Sequence, residues 1–229
     1  MSVQPRQLAV LEAMGVAVYV PRTAAPGPAR APGEAAGTEA LDWDALAGAV
    51  RSCRLCGLCE TRTQTVFGVG NRNPRLMVVG EAPGAEEDRQ GEPFVGRAGI
   101  LLNAMLRAAG FARSDVLIAN VLKCRPPNNR DPSDEEAARC LPYLRRQIEL
   151  AGPEVILCVG RIAAQRLLDT DTPIGKLRGR VHRLDGRPVV VTYHPAYLLR
   201  SPGEKPKSWE DLKLALGVLS GGGADVGRA

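Results

Sequence analysis

Two short apolar runs, each halted at a turn that carries ionisable groups, constrain this chain more than any other feature. Leu76-Met77-Val78-Val79 stops at Gly80-Glu81-Ala82-Pro83-Gly84, and Glu86, Glu87 and Asp88 follow at once. Val189-Val190-Val191-Thr192-Tyr193 stops at His194-Pro195-Ala196-Tyr197-Leu198-Leu199-Arg200. Apolar runs without in/out alternation belong to parallel strands covered on both faces. Open sheets of that kind bind ligands beyond the carboxyl ends of their strands. A glutamate and a histidine thus stand at two strand ends that can share one cleft.

Two further runs, 116–121 and 155–159, read as strands, and the fourth spans 189–193. Helical periodicity appears at 41–52, 98–109, 134–150, 161–168 and 208–219, with Ser133 and Glu136 forming a capping-box signature. Strands alternating with helices predict an α/β fold: a three-layer α/β/α sandwich around a central, mostly parallel four-stranded sheet. The domain is expected at 41–219. Residues 1–40 read as an extension, with a short helix in 6–20 and an Ala/Pro/Gly linker over 22–39, and 220–229 as a disordered glycine-rich tail.

No apolar run is long enough to cross a bilayer, and Met1–Arg6 lacks the apolar stretch of a secretory signal. The expectation is a cytoplasmic protein without a membrane partner. A net charge of +5 is compatible with a polyanionic partner. The basic clusters at Arg178, Arg180, Arg183 and Arg187, and at Arg200, Lys205 and Lys207, fit a solvated face equally well.

The cysteines are Cys53, Cys56, Cys59, Cys124, Cys140 and Cys158. Cytosolic chains rarely spend cysteines on disulfides, so metal binding competes with burial. The CxxC pair Cys53–Cys56 alone suits half a zinc site, a redox pair or no site. Cys158 lies within an apolar strand and reads as a core thiol. Cys124 and Cys140 follow at no tight finger spacing, yet with the CxxC they make four thiolates, the complement of an iron–sulfur cluster.

Four blocks in order, downstream of the CxxC, carry a resemblance: Gly80-Glu-Ala-Pro-Gly84 with Glu87-Asp88, Pro93-Phe94-Val95-Gly96, Asn120-Val-Leu-Lys-Cys124-Arg-Pro-Pro, and His194-Pro-Ala-Tyr-Leu-Leu-Arg200. From Cys53 to about Leu219 the chain resembles the family 4, iron–sulfur uracil-DNA glycosylases. The resemblance implies that Cys53, Cys56, Cys124 and Cys140 hold a [4Fe–4S] cluster of structural role. It implies a monofunctional enzyme that flips uracil out of DNA and hydrolyses the bond to deoxyribose, and a monomer whose partner is DNA containing uracil. Phe94 would then stack on the extruded base, and Gly80 would line the pocket. Asn120, a poor strand residue that would otherwise close a turn, offers both donor and acceptor to a base edge. His194 would donate to uracil O2 as negative charge develops there. Glu81 would steady the sugar cation or orient water, with Glu87 in support and Asp88 competing. These acids at a helix start also suit its dipole. Leu198, Leu199 and Arg200 would meet DNA as wedge and phosphate contact, although one leucine of the pair fits the core as well. The alternatives are an iron–sulfur relative that cross-links to the abasic sugar and a non-catalytic DNA-binding module.

Overall fold

The structure, a computed structural model, describes residues 37–221. The helix expected in 6–20, most of the linker, and the tail from 222 onward lie outside the described residues. Thr38–Ala40, expected at the linker's end, forms one 3₁₀ turn.

The four apolar runs form the centre of the sheet. They are β2 (Leu76–Gly80), β3 (Leu117–Asn120), β4 (Val155–Val159) and β6 (Arg187–Thr192), which lie in the order β3-β2-β4-β6, all parallel. The sheet is wider than expected. It has six strands, not four, because β1 (Val69–Gly70) pairs antiparallel with β3 and β5 (Val181–Leu184) pairs antiparallel with β6. A two-residue strand has no period to read. The strand β5 is a partly exposed edge of mixed polarity, so it lacks the apolar run of the interior strands. Its hairpin was signalled by Asp185-Gly186, both at positive φ, the dipeptide that two-residue hairpin turns favour.

Alternation along each strand divides the core into two layers. Met77, Val79, Leu117 and Ala119 pack with Leu144 and Ile148 of α5 (Asp134–Ala151) and with Ala163 and Leu167 of α6 (Arg161–Leu168). Leu76, Val78, Ile118 and Leu157 face the other way. They pack with Leu102 and Leu106 of α4 (Arg97–Ala108) and Leu212 and Ala215 of α9 (Lys205–Leu219). The sandwich is therefore three-layered, as its doubly apolar strands require. The remaining helices are α1 (Trp43–Ser52), α2 (Leu58–Thr61), α3 (Ala85–Gln90), α7 (Ile174–Leu177) and α8 (Pro195–Arg200). Leu46 and Val50 of α1 are buried against Tyr143 of α5, which brings the CxxC segment onto the sheet's flank.

Connections after β2 and β4 leave in opposite directions, since β3 lies on one side of β2 and β6 on the far side of β4. The carboxyl ends of the strands around this switch point form the crevice such sheets use for ligands.

One buried ion pair ties α9 to the chain before β5. Asp211, 0% exposed, accepts from Arg178 Nε at 3.0 Å, from Arg178 Nη2 at 3.1 Å and from the Gly179 backbone N–H at 3.0 Å. Burial raises the Asp211 pKa even so, with the guanidinium opposing. Removing one member of such a pair leaves the other buried and uncompensated. Asp211→Ala is expected to lower stability by about 3 kcal/mol, read from the midpoint of urea unfolding. A midpoint equal to that of the parent would show that the pair contributes nothing to the fold.

Candidate active site and cysteine cavity

Gly80 and Asn120 are register partners at the ends of β2 and β3, and His194 stands two residues beyond the end of β6. Parallel pairing thus brings three chain segments, distant in sequence, to one edge of the sheet. Asn120 and His194 line a cleft of about 410 Å³ with Glu81, Glu87, Phe94, Asp131 and Arg200, and Gly80 lies behind Asn120 and Phe94. That volume falls within the range of about 300–1,000 Å³ typical of small-molecule pockets.

The floor depends on Gly80. A Cβ there would stand 2.4 Å from Asn120 Oδ1 and 2.6 Å from Phe94 Cζ, so only glycine lets the amide and the ring close over the strand end. Asn120 is 2% exposed, and its Oδ1 is buried without a hydrogen-bond partner. A buried carbonyl oxygen left unpaired is costly, and such groups call for a functional explanation.

Phe94 is 6% exposed and sits at φ +54°, a conformation that costs a non-glycine residue about 1–3 kcal/mol. Glu87 holds it there. Its Oε1 accepts from the Val95 N–H at 2.9 Å and the Gly96 N–H at 3.0 Å, and its Oε2 accepts from the Gly84 N–H at 3.2 Å. Its carboxylate is thereby engaged on both oxygens, which makes it a clamp on the Phe94 loop. Asp88 is likewise engaged, accepting from the Thr63 N–H at 2.9 Å, and does not line the cleft.

His194 caps α8. Its Nδ1 accepts from the Ala196 N–H at 3.1 Å, which puts the proton of the neutral ring on Nε2. Burial, with the Arg200 charge adding to it, pulls its pKa down to about 4, so the ring is neutral at physiological pH. Its ring lies 5.6 Å from that of Phe94, tilted by 31°. Burial chiefly, and the Asp131 charge next, push Glu81 up to about 7, against the pull of Arg161.

Leu198 is 1% exposed and packs inside, which corrects the expectation that it reaches DNA. A six-residue helix lying on the fold must turn one of two adjacent leucines inward. Leu199, 37% exposed, is the one left on the surface, beside the exposed Arg200.

Cys53, Cys56, Cys124 and Cys140 line a second, largely apolar cavity with Val50, Leu58 and Leu122. Cys59 lines it too, so geometry alone does not separate it from the other four. Cys158 is buried in β4 away from it, as expected of a core thiol. Burial raises the thiol pKa values of Cys56 and Cys124, and that of Cys140 to about 12. Arg62 Nη1 donates to Cys124 Sγ at 3.0 Å and the Lys123 N–H to Cys140 Sγ at 3.2 Å.

A residue without a place in the sequence reading lies between the two sites. Lys123 is 1% exposed; its Nζ donates to the Asn120 backbone carbonyl at 2.8 Å and to Gln147 Oε1 at 2.5 Å. Burial pulls its pKa down to about 8, against the effect of Cys140 and Cys124. A lysine inside an otherwise apolar run, Val121-Leu122-Lys123, was the available signal.

The uracil DNA glycosylase superfamily model matches residues 67–213. A type-4 uracil-DNA glycosylase of Archaeoglobus fulgidus is 47% identical over 78% of this chain and 93% of its own length. One of Thermotoga maritima is 49% identical over 66% of this chain and 80% of its own. One of Pyrobaculum aerophilum is 41% identical over 81% and 96%. With the β2, β3 and β6 ends meeting at a single cleft, these matches place the chain in the uracil DNA glycosylase superfamily, among relatives of type 4.

Proposed function

We propose that the protein removes uracil from DNA by hydrolysing its N-glycosidic bond, leaving an abasic site, and that it acts as a monomer in the cytoplasm. The unpaired, buried Oδ1 of Asn120 at the floor of the cleft carries this reading. Uracil offers N3–H to that oxygen and O4 to the amide N–H₂ beside it. Cytosine offers an unprotonated N3 and an amino group, which mismatch both. A rigid site whose buried polar groups go unpaired with the wrong base discriminates strongly.

The cleft's residues then divide the work. Phe94 stacks on the extruded ring, an interaction of about 1–3 kcal/mol. As the C1′–N1 bond breaks, its electron pair leaves on uracil and the sugar becomes cationic. The Nε2–H of His194 donates to O2, where the negative charge collects. A neutral donor suffices for this, consistent with a ring whose other nitrogen is held by the Ala196 N–H. Glu81, ionised, stabilises the cation and accepts a proton from the water whose oxygen joins C1′. With a pKa near neutrality it suits a general base. Glu87 positions Phe94. Leu199 fills the gap left by the flipped nucleotide and Arg200 meets phosphate.

The cysteine cavity supports a [4Fe–4S] cluster held by Cys53, Cys56, Cys124 and Cys140. A cubane needs its thiolates spread over four corners, and apolar walls with N–H donors to sulfur suit it. Its contribution would be structural, joining the α1–α2 segment, the loop after β3 and α5.

Three outcomes test this. With a uracil-containing oligonucleotide, alkali-labile strand breaks should appear on incubation. His194→Ala should slow their single-turnover formation about 10²–10³-fold, the usual effect of losing one such donor, while DNA affinity changes little. Equal losses of rate and affinity would remove His194 from the chemical step, and a covalent DNA adduct in place of breaks would overturn the hydrolytic reading.

The single-turnover rate should also rise with pH and level off above about 7, because Glu81 must lose its proton to act. His194 adds no inflection in that range, being neutral above about 4. Glu81→Gln should give a low, flat profile. A flat parental profile between pH 5 and 9 would show that ionised Glu81 is not needed.

Anaerobically purified protein should contain iron and show visible thiolate-to-iron absorbance. Cys124→Ala should lose both, whereas Cys59→Ala and Cys158→Ala should keep them. Zinc without iron would refute the cluster assignment.

A further inference from the structure

We infer that Lys123 is a positioning residue that couples the cysteine cavity to the uracil pocket, balancing its charge against cluster thiolates on one side and holding the Asn120 backbone on the other. This rests on reading the cavity as a cluster site.

Lys123 is among the largest fully buried side chains of the protein. A buried ammonium without a counter-charge is strongly unfavourable. Among the described residues it forms no ion pair with a carboxylate, and both oxygens it bonds are neutral. The anionic groups available to it are the sulfurs of Cys140, bonded by its own backbone N–H at 3.2 Å, and of Cys124, the next residue. Those sulfurs carry negative charge when they ligate metal, because metal binding deprotonates thiols. A loaded cluster therefore supplies the charge balance that the protein's carboxylates do not.

On its other side the ammonium grips the end of β3. The carbonyl it bonds belongs to Asn120, the residue whose side chain faces the cleft. The second acceptor, Gln147, is fixed in turn, since its Nε2 donates to the Phe67 carbonyl at 3.0 Å. The path from sulfur to base-reading amide thus runs through one buried residue, its backbone N–H on Cys140 Sγ and its Nζ on the Asn120 carbonyl. Loss of the cluster would leave the ammonium uncompensated and favour its withdrawal, freeing the Asn120 backbone. Linkage makes the effect reciprocal: whatever stabilises the ordered Asn120 must also retain the cluster.

Iron release to a ferrous-iron chelator reads the coupling directly, without reference to catalytic rate. The loaded protein is mixed with chelator and a saturating duplex that carries either a non-hydrolysable 2′-fluoro-deoxyuridine or thymidine at the same position. In the parent, the uracil duplex should slow release by about fivefold or more relative to thymine, within the usual span of coupling between sites. Lys123→Met, similar in length and uncharged, should release iron about 10–100-fold faster than the parent, the usual effect of losing a group next to metal ligands. It should also lose the distinction between the two duplexes. Parental release rates equal for uracil and thymine overturn the coupling, and this measurement stands even if Lys123→Met does not fold. A folded Lys123→Met that releases iron at the parental rate, or keeps the uracil effect, also overturns it. A parent purified with no iron refutes the cluster reading and the inference with it, whereas iron present without coupling refutes the inference alone.

Discussion

The pairing of Gly80 with Asn120 at the ends of two parallel strands is the constraint on which the cleft depends. It puts a residue without a side chain directly beside a buried amide. The space left by the missing Cβ admits the edge of Phe94. A slip of one residue in this register would turn Asn120 toward the opposite face of the sheet. The register is held by apolar side chains on both faces, so the core and the shape of the pocket are set by the same contacts. The His194 segment is placed by the same logic two strands from β2, through the parallel pairing of β4 with β6.

Rigidity here comes from acids engaged by backbone N–H groups. Glu87 and Asp88, adjacent in sequence, fasten two different segments through backbone N–H groups: the Phe94 loop and the chain at Thr63. The strained Phe94 backbone persists because Glu87 engages the two residues after it. Glu81 differs by having no such donors among the described residues. It is partly buried in the lining of the cleft, and desolvation with the nearby Asp131 charge makes it hold its proton more tightly. Three of the four carboxylates in residues 81–88 thus differ in their surroundings, decided by where the backbone N–H groups lie.

The electrostatic pattern extends this contrast. His194 is kept neutral by burial and by the neighbouring arginine, with its one free N–H left on the side away from the Ala196 bond. Lys123 is the opposite case, a cation enclosed among neutral acceptors and thiols. Both are burial effects, yet the first leaves a neutral N–H donor at the cleft and the second sets a cation between the cleft and the cysteine cavity.

Much of this was legible in the sequence. The apolar runs ending at Gly80, Asn120 and Thr192 fixed the parallel core and the edge at which ligands bind, because strands buried on both faces admit few polar residues and those that occur mark their ends. The residue blocks around Glu81, Phe94, Asn120 and His194 all meet at the cleft. Apolar patterning could not reveal the two antiparallel edge strands, since one is two residues long and the other is half solvated, although Asp185-Gly186 marks the turn of the second one's hairpin. Nor could it divide labour among the acids, choose Leu199 over Leu198 for the surface, or assign Lys123, because those outcomes depend on which backbone donor, helix face or sulfur lies nearby in three dimensions. Sequence periodicity determines which faces are buried; only tertiary packing decides which polar group each buried atom meets.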